Sequence, residues 1–296
     1  MPVIETKGLT KYYGKSRGIE DIDLSIEEGE FFGFIGPNGA GKSTTVRTLL
    51  NFIYPSSGSA FILGMDCVSQ STEIKQLIGY VPSEINYYRE VKVRNLLSYA
   101  ASFHKQVDNG YIQQLCDEFE VEVDKRISDL SLGNRKKVAV VQALIHKPRL
   151  LILDEPASGL DPLMQNRLFI LLSDINRRGT TVFLSSHNLA EVQRFCHRVA
   201  IIRDGSIVEI SEVEALLGPA IRRITIKTRD DLAAILQELG VNDIQLVNDE
   251  CEFTYDGSID RLIKTVARYS IEDLRIEEQS LEAKFLHYYE QGGQAS

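Results

Sequence analysis

Gly36-Pro37-Asn38-Gly39-Ala40-Gly41-Lys42-Ser43 has the spacing G-x-x-x-x-G-K-S, and Thr44 follows it directly. Glycines at 36, 39 and 41 let the backbone wrap closely round an anion, so that successive N–H groups and the start of a following helix face negative charge. A lysine and a hydroxyl at the end of such a loop suit the terminal phosphates of a nucleotide and its Mg²⁺ ion. Lys42 would reach the β- and γ-phosphates, Ser43 would place its oxygen on the metal, and Thr44 would bond the α-phosphate. A glycine-rich turn without the Lys-Ser pair would be an ordinary strand-to-helix connection.

Two further clusters carry matching chemistry. Leu150-Leu151-Ile152-Leu153 runs straight into Asp154-Glu155, so a buried strand delivers two carboxylates at its C-terminal end, where parallel sheets gather their ligands. Asp154 is suited to the Mg²⁺ shell and Glu155 to orienting or deprotonating the water that attacks the γ-phosphorus in line. Thr181 to Ser185 is a second apolar run, and Ser186-His187 follows it; an imidazole there can bond both the γ-phosphate and the water. His104, His146, His197 and His287 have no such placement and read as ordinary surface or core residues.

The elements that must hold these residues follow from the hydrophobic pattern. Short apolar runs (Phe31 to Ile35, Leu150 to Leu153, Thr181 to Ser185) alternate with helical stretches such as Thr44 to Leu50, which predicts parallel strands joined by helical crossovers, an α/β fold. Between Glu84 and Leu130 the pattern is mostly helical, at Leu96 to Phe103 and Ile112 to Phe119, and reads as an inserted helical subdomain spanning about 84–145. Val199 to Ile202 and Ile207 to Ile210 flank Asp204-Gly205, a two-residue hairpin signal. After about Gly218 the elements shorten: a strand at Arg223 to Lys227, a helix at Asp230 to Leu239, strands at Ile244 to Val247 and Glu252 to Tyr255 around Asn248-Asp249-Glu250, a helix at Ile259 to Tyr269, a strand at Ile271 to Ile276 and a last helix at Ser280 to Tyr289. The order β-α-β-β-α-β predicts a small α+β, ferredoxin-like unit. The expected domains are 1–217 and 218–296.

Composition narrows the function classes. The chain has 296 residues, of which 43% are hydrophobic and 25% charged, an ordinary globular balance. A formal net charge of −9 argues against a nucleic-acid partner bound through a basic surface, because phosphate neutralisation needs clustered Lys and Arg. Four cysteines, Cys67, Cys116, Cys196 and Cys251, are far apart with no C-x-x-C pair, which fits buried thiols in a reducing cytosol. Met1 to Thr10 has no signal-peptide pattern, and apolar runs such as Val138 to Ile145 fall far short of the ~20 residues of a spanning helix.

Leu130-Ser131-Leu132-Gly133-Asn134, followed by Arg135-Lys136-Lys137 and a helical run, resembles the L-S-G-G-Q signature of ABC ATPases. With the phosphate loop, Asp154-Glu155-Pro156, Ser158-Gly159-Leu160-Asp161 and His187 in the same order, the resemblance covers residues 3–217. It implies a P-loop NTPase core with the helical subdomain, Mg²⁺-dependent ATP hydrolysis, and an adenine ring stacked on Tyr13, with the neighbouring Tyr12 as the alternative. It also implies that Ser131 and Gly133 of one subunit cap the γ-phosphate held by another, and it makes Asp161 a further nucleotide-binding candidate. One loop and one signature per chain then require a second ATPase subunit, in a homodimer or heterodimer.

The same resemblance implies a separate transmembrane permease gripped by the helical insert, with Tyr87, Tyr88, Arg89 and Val91 in the contact. It places the chain on the cytoplasmic face of the membrane and is nearest to drug, bacteriocin or sodium exporter ATPases. Three positions depart from the pattern. Leu132 and Asn134 replace a Gly and a Gln of the signature, and Ser83, in Ile78-Gly79-Tyr80-Val81-Pro82-Ser83, stands where the family presents a metal-binding Gln. A soluble regulatory ATPase, or an ATP-driven dimerisation switch with little turnover, is the competing expectation.

Overall fold

The computed structural model describes residues 2–105, 107–217, 222–228, 230, 232, 236, 239, 241–247 and 250–278. Ile4–Tyr13 (β1) and Ser16–Ile26 (β2) pair antiparallel through several register shifts. Phe31–Ile35 (β3), buried at every position, opens through the glycine loop into Lys42–Leu49 (α1). Ser57–Ile62 (β4) and Met65–Asp66 (β5) complete a first sheet, β2-β1-β4-β5. Ser71–Leu77 (α2) then leads into Ile78–Val81 (β6).

Val93–Ala101 (α3), Asn109–Glu118 (α4) and Leu132–Leu144 (α5) form the helical insert. Leu150–Asp154 (β7), Pro162–Arg177 (α6), Thr181–Ser186 (β8), Leu189–Phe195 (α7), Arg198–Arg203 (β9) and Ser206–Glu212 (β10) follow. They place β3 at the middle of a six-stranded sheet, β10-β9-β3-β8-β7-β6. Neighbours from β9 to β6 run parallel, and β10 closes one edge antiparallel. Asp204 and Gly205 take φ of 49° and 81° at the β9–β10 turn, the left-handed pair that a two-residue hairpin requires.

Strands β3, β7 and β8 have no exposed face because helices and the first sheet cover them, which is why they read as continuous apolar runs. Their core is aromatic: the rings of Phe32 and Phe183 stack with centroids 6.2 Å apart, and Phe34 meets Phe183 at 5.5 Å. This packing fixes the register Phe31↔Val182 through Ile35↔Ser186. It therefore sets the C-terminal ends of β3, β7 and β8 side by side.

The chain divides into two compact units, Met1–Glu212 and Val213–Ser296; the division expected at 217/218 falls just after a short helix, Val213–Leu217. The second unit holds Arg222–Thr228 (β11), Asn242–Val247 (β12), Glu250–Tyr255 (β13) and Ile271–Glu278 (β14), an antiparallel sheet ordered β12-β13-β11-β14. Ile259–Val266 is its helix between β13 and β14, begun by Ser258, whose hydroxyl accepts from the Arg261 amide. The expected helix at 280–289 and the turn at 248–249 lie outside the described residues, as does most of the expected helix at 230–239, of which Leu236 and Leu239 are described as helical. Cys67, Cys116, Cys196 and Cys251 are all buried and free.

Candidate functional site

The ends of β3 and β7 and the start of α1 enclose a cleft of about 410 Å³ lined by Tyr13, Pro37, Asn38, Gly39, Gly41, Lys42, Ser43, Thr44, Ser83 and Glu155, together with Arg17 and Gly18. Gly36 and Ala40 support the loop from behind. A Cβ at Gly36 would lie 2.4 Å from the Ile202 carbonyl oxygen, so only glycine lets the loop pass β9. Gly41, the residue before α1, has φ of 112°, a region open to glycine and strained for any other residue. The loop thus delivers the α1 N-terminus to the cleft, where its free N–H groups and dipole favour an anion.

Lys42 is almost fully buried and folds back on its own loop. Its ammonium donates to the carbonyls of Gly36 at 2.7 Å and Pro37 at 3.1 Å, and lies 3.3 Å from Glu155 Oε1. That last approach is an ion pair without hydrogen-bond geometry, so Oε1 keeps an unused acceptor site although it is buried. Glu155 itself has φ of 51°, a conformation that costs a non-glycine residue on the order of 1 kcal/mol or more. The strain turns its side chain out of the β7 line, and its other oxygen, Oε2, meets His187 Nδ1 at 2.6 Å. A carboxylate only accepts, so Nδ1 carries the proton of this bond.

Asp154 lies beneath, wholly buried at the end of β7. Its Oδ1 accepts from the Ser185 hydroxyl at 2.6 Å on the adjacent strand, while Oδ2 is buried with no donor. Two buried carboxylate oxygens without donors, beside a cleft that carries the Ser43 and Ser83 hydroxyls, form a hard oxygen set of the kind Mg²⁺ takes. Glu191, near the Glu155–His187 pair, is half-buried, and its carboxyl is pushed above the usual range by desolvation.

Between the tyrosine alternatives the structure separates the two rings. Tyr13 lines the cleft and is 47% exposed. Tyr12 has its hydroxyl bonded to Glu20, which raises the phenol's pKa and lowers the carboxyl's.

Ser131, Gly133 and Asp161 do not line the cleft. Ser131 is the N-cap of α5, its hydroxyl accepting from the Asn134 amide at 3.2 Å. A Cβ at Gly133 would stand 2.8 Å from the Gly159 carbonyl, so α5 and the 158–161 segment touch. Asp161 is the N-cap of α6, accepting from Leu163 and Met164. Sequence spacing missed Arg17, Gly18 and Ser185 as neighbours of the cleft, because each is brought there by strand pairing across the fold and none has a motif of its own.

A second, apolar cleft of about 500 Å³ lies where α3 and α5 approach β6, with Phe52, Tyr87, Tyr88, Tyr99 and Phe103 among its lining residues. Several of these aromatics are exposed; Tyr88 is 87% accessible. Among the described residues no helix is long and apolar enough to cross a membrane.

Residues 19–158 match the family model described as ABC transporter. An uncharacterised ABC transporter ATP-binding protein of Methanocaldococcus jannaschii is 32% identical over 282 residues, covering 94% of this chain and 99% of that one. The bacitracin transport ATP-binding protein BcrA of Bacillus licheniformis is 31% identical over 295 residues, 96% of each chain. Among solved structures, a dimeric post-hydrolysis ATP-binding cassette bound to ADP and Pi superposes with a TM-score of 0.65, at 23% identity, over 71% of this chain and 99% of that one. The α/β nucleotide cassette defines the class, and the chain belongs to the ABC transporter family. It is the ATP-binding, ATP-hydrolysing subunit of such a transporter.

Proposed function

We propose that this subunit hydrolyses Mg²⁺-ATP at two composite sites in a dimer and drives a separate transmembrane permease, in the export direction. The observation that carries the reading is the Lys42–Glu155–His187 cluster at the mouth of the phosphate loop. In it Lys42 exchanges its loop carbonyls for the β- and γ-phosphates when ATP enters. Glu155, held by His187, takes the attacking water, and Tyr13 stacks on adenine. Ser43 and Asp154 would hold Mg²⁺, with Ser83 at its edge, and the ion would offset the charge of the terminal phosphates.

Ser131 and Asp161, which cap helices outside the chain's own cleft, and Gly133 in the first turn of α5 are the residues offered to the nucleotide of a second subunit. The dimeric state of the related cassette supports that arrangement. The exposed aromatic cleft beside α3 and α5 suits the permease contact, and a 31% identical Nod factor export ATP-binding protein of Neorhizobium galegae supports export. We further read residues 1–217 as the ATPase domain and 218–296 as an accessory domain. The strand order β12-β13-β11-β14 supports a ferredoxin-like unit, since it sets the first strand between the third and fourth.

The test is affinity capture of tagged Glu155→Gln chain from gently solubilised membranes with Mg²⁺-ATP. A polytopic membrane protein in stoichiometric amount is expected. Ribosomes or nucleic acid with no membrane protein would overturn the transporter reading.

A further inference from the structure

Lys136 stands second in the run Arg135-Lys136-Lys137, on a helix whose flanks are polar, yet it is 1% exposed. Its ammonium donates to the carbonyl oxygens of Pro82 at 2.9 Å and Ser83 at 3.0 Å. Those two residues leave β6 and enter the wall of the nucleotide cleft, which Ser83 lines. Burial lowers the Lys136 pKa, while the charges of Asp154 and Glu155 raise it in part. No carboxylate forms an ion pair with it among the described residues, so the two backbone carbonyls are what hold a buried cation in place. A buried ammonium costs stability unless its donors are satisfied, and a position kept at that cost calls for a role.

The same helix grips the segment twice more. Gln142 Oε1 accepts from the Tyr87 hydroxyl at 2.7 Å. The α5 backbone also lies so near β6 that a Cβ on Gly79 would come within 2.3 Å of the Ala143 carbonyl oxygen. Helix α5 therefore carries Ser131 at its start, Lys136 against the cleft wall and Gln142 beside the aromatic groove, along one rigid element.

We propose that Lys136 is a positioning residue for ATP hydrolysis: by holding the Pro82 and Ser83 carbonyls it locks the metal-side wall of the nucleotide cleft to helix α5. A displacement of α5, whether by a protein docked in the aromatic groove or by nucleotide capped at Ser131, is thereby passed to Ser83. The proposal rests on the reading of the cleft as an ATPase site. It assigns to Lys136 an effect on turnover rather than on nucleotide binding, since the phosphate loop is untouched.

Steady-state kinetics of the full chain test it, with Glu155→Gln as the control that the measured turnover comes from this cleft. Loss of turnover in that control validates the site; turnover that survives it would overturn the site assignment and this proposal together. With the site validated, Lys136→Met, an apolar side chain of similar length that packs without a buried charge, is expected to lower kcat about tenfold. KM for ATP should stay within twofold and the melting temperature within a few degrees. Lys136→Gln, neutral but able to donate to a carbonyl, is expected to lose less than the methionine variant. Parental kcat in folded Lys136→Met, or equal losses in both variants, would overturn the role of Lys136 and leave the ATPase assignment standing.

Discussion

Glu155 is the residue we propose as base, and its environment suits one carboxylate to that role. It leaves a wholly buried strand in a left-handed conformation, meets His187 through one oxygen and keeps the other free beside Lys42. Lys42 is occupied by its own loop and by Glu155, contacts that a triphosphate would replace in the proposed reading. Lys42→Ala should weaken ATP binding by at least about tenfold, because a charge-assisted contact to phosphate is lost; a fluorescent-nucleotide titration would show it, and unchanged affinity would contradict the assignment. A second residue-scale consequence concerns His146, which stacks on His104 at 3.9 Å and accepts burial as a neutral ring, its pKa pushed down to about 4. Its folded pKa lies below its unfolded value, so the stability it permits is complete above pH ~6.5 and is lost as pH falls toward 4. The loss is on the order of 2 kcal/mol once partial exposure is discounted. Thermal unfolding of the parent should thus fall more steeply across that window than that of His146→Gln.

At the scale of elements, helix α5 is pinned to the sheet by close approach as well as by hydrogen bonds. Gly79→Ala would force its methyl into the Ala143 carbonyl, separating β6 from α5 at a cost of about 1–3 kcal/mol; a denaturant midpoint equal to the parent's would show that the two elements yield freely. Legibility in the sequence follows the same physics. β3, β7 and β8 were readable because strands covered on both faces must be apolar throughout, and the phosphate loop because its glycines, lysine and serine are contiguous. β1, β2, β4 and β5 were not, since their edge sheet is broken by register shifts at Thr6/Leu9 and Lys11/Tyr12 that erase a clean alternation. Lys136 was hidden for a different reason. Three consecutive basic residues on a helix read as a solvated face, and only the packing of α5 on β6 turns the middle one inward.

At the scale of the whole molecule, the cleft of one chain lacks Ser131, Gly133 and Asp161, which lie at the starts of α5 and α6. If each site takes its phosphate loop from one subunit and its signature from the other, two inactive variants can rebuild a site between them. Lys42→Ala mixed in equal amounts with Ser131→Arg should recover about a quarter of parental activity, since half the dimers are mixed and each holds one intact site. Absence of recovery would place the complete site within one chain.

Mg²⁺-ATP turnover and self-association of the Glu155→Gln chain beside the parent test the proposed composite site most directly. Substituting the amide keeps the shape and removes the carboxylate. Turnover is expected to vanish while ATP holds the variant as a stable dimer in size-exclusion chromatography. Hydrolysis by Glu155→Gln at the parental rate would contradict it.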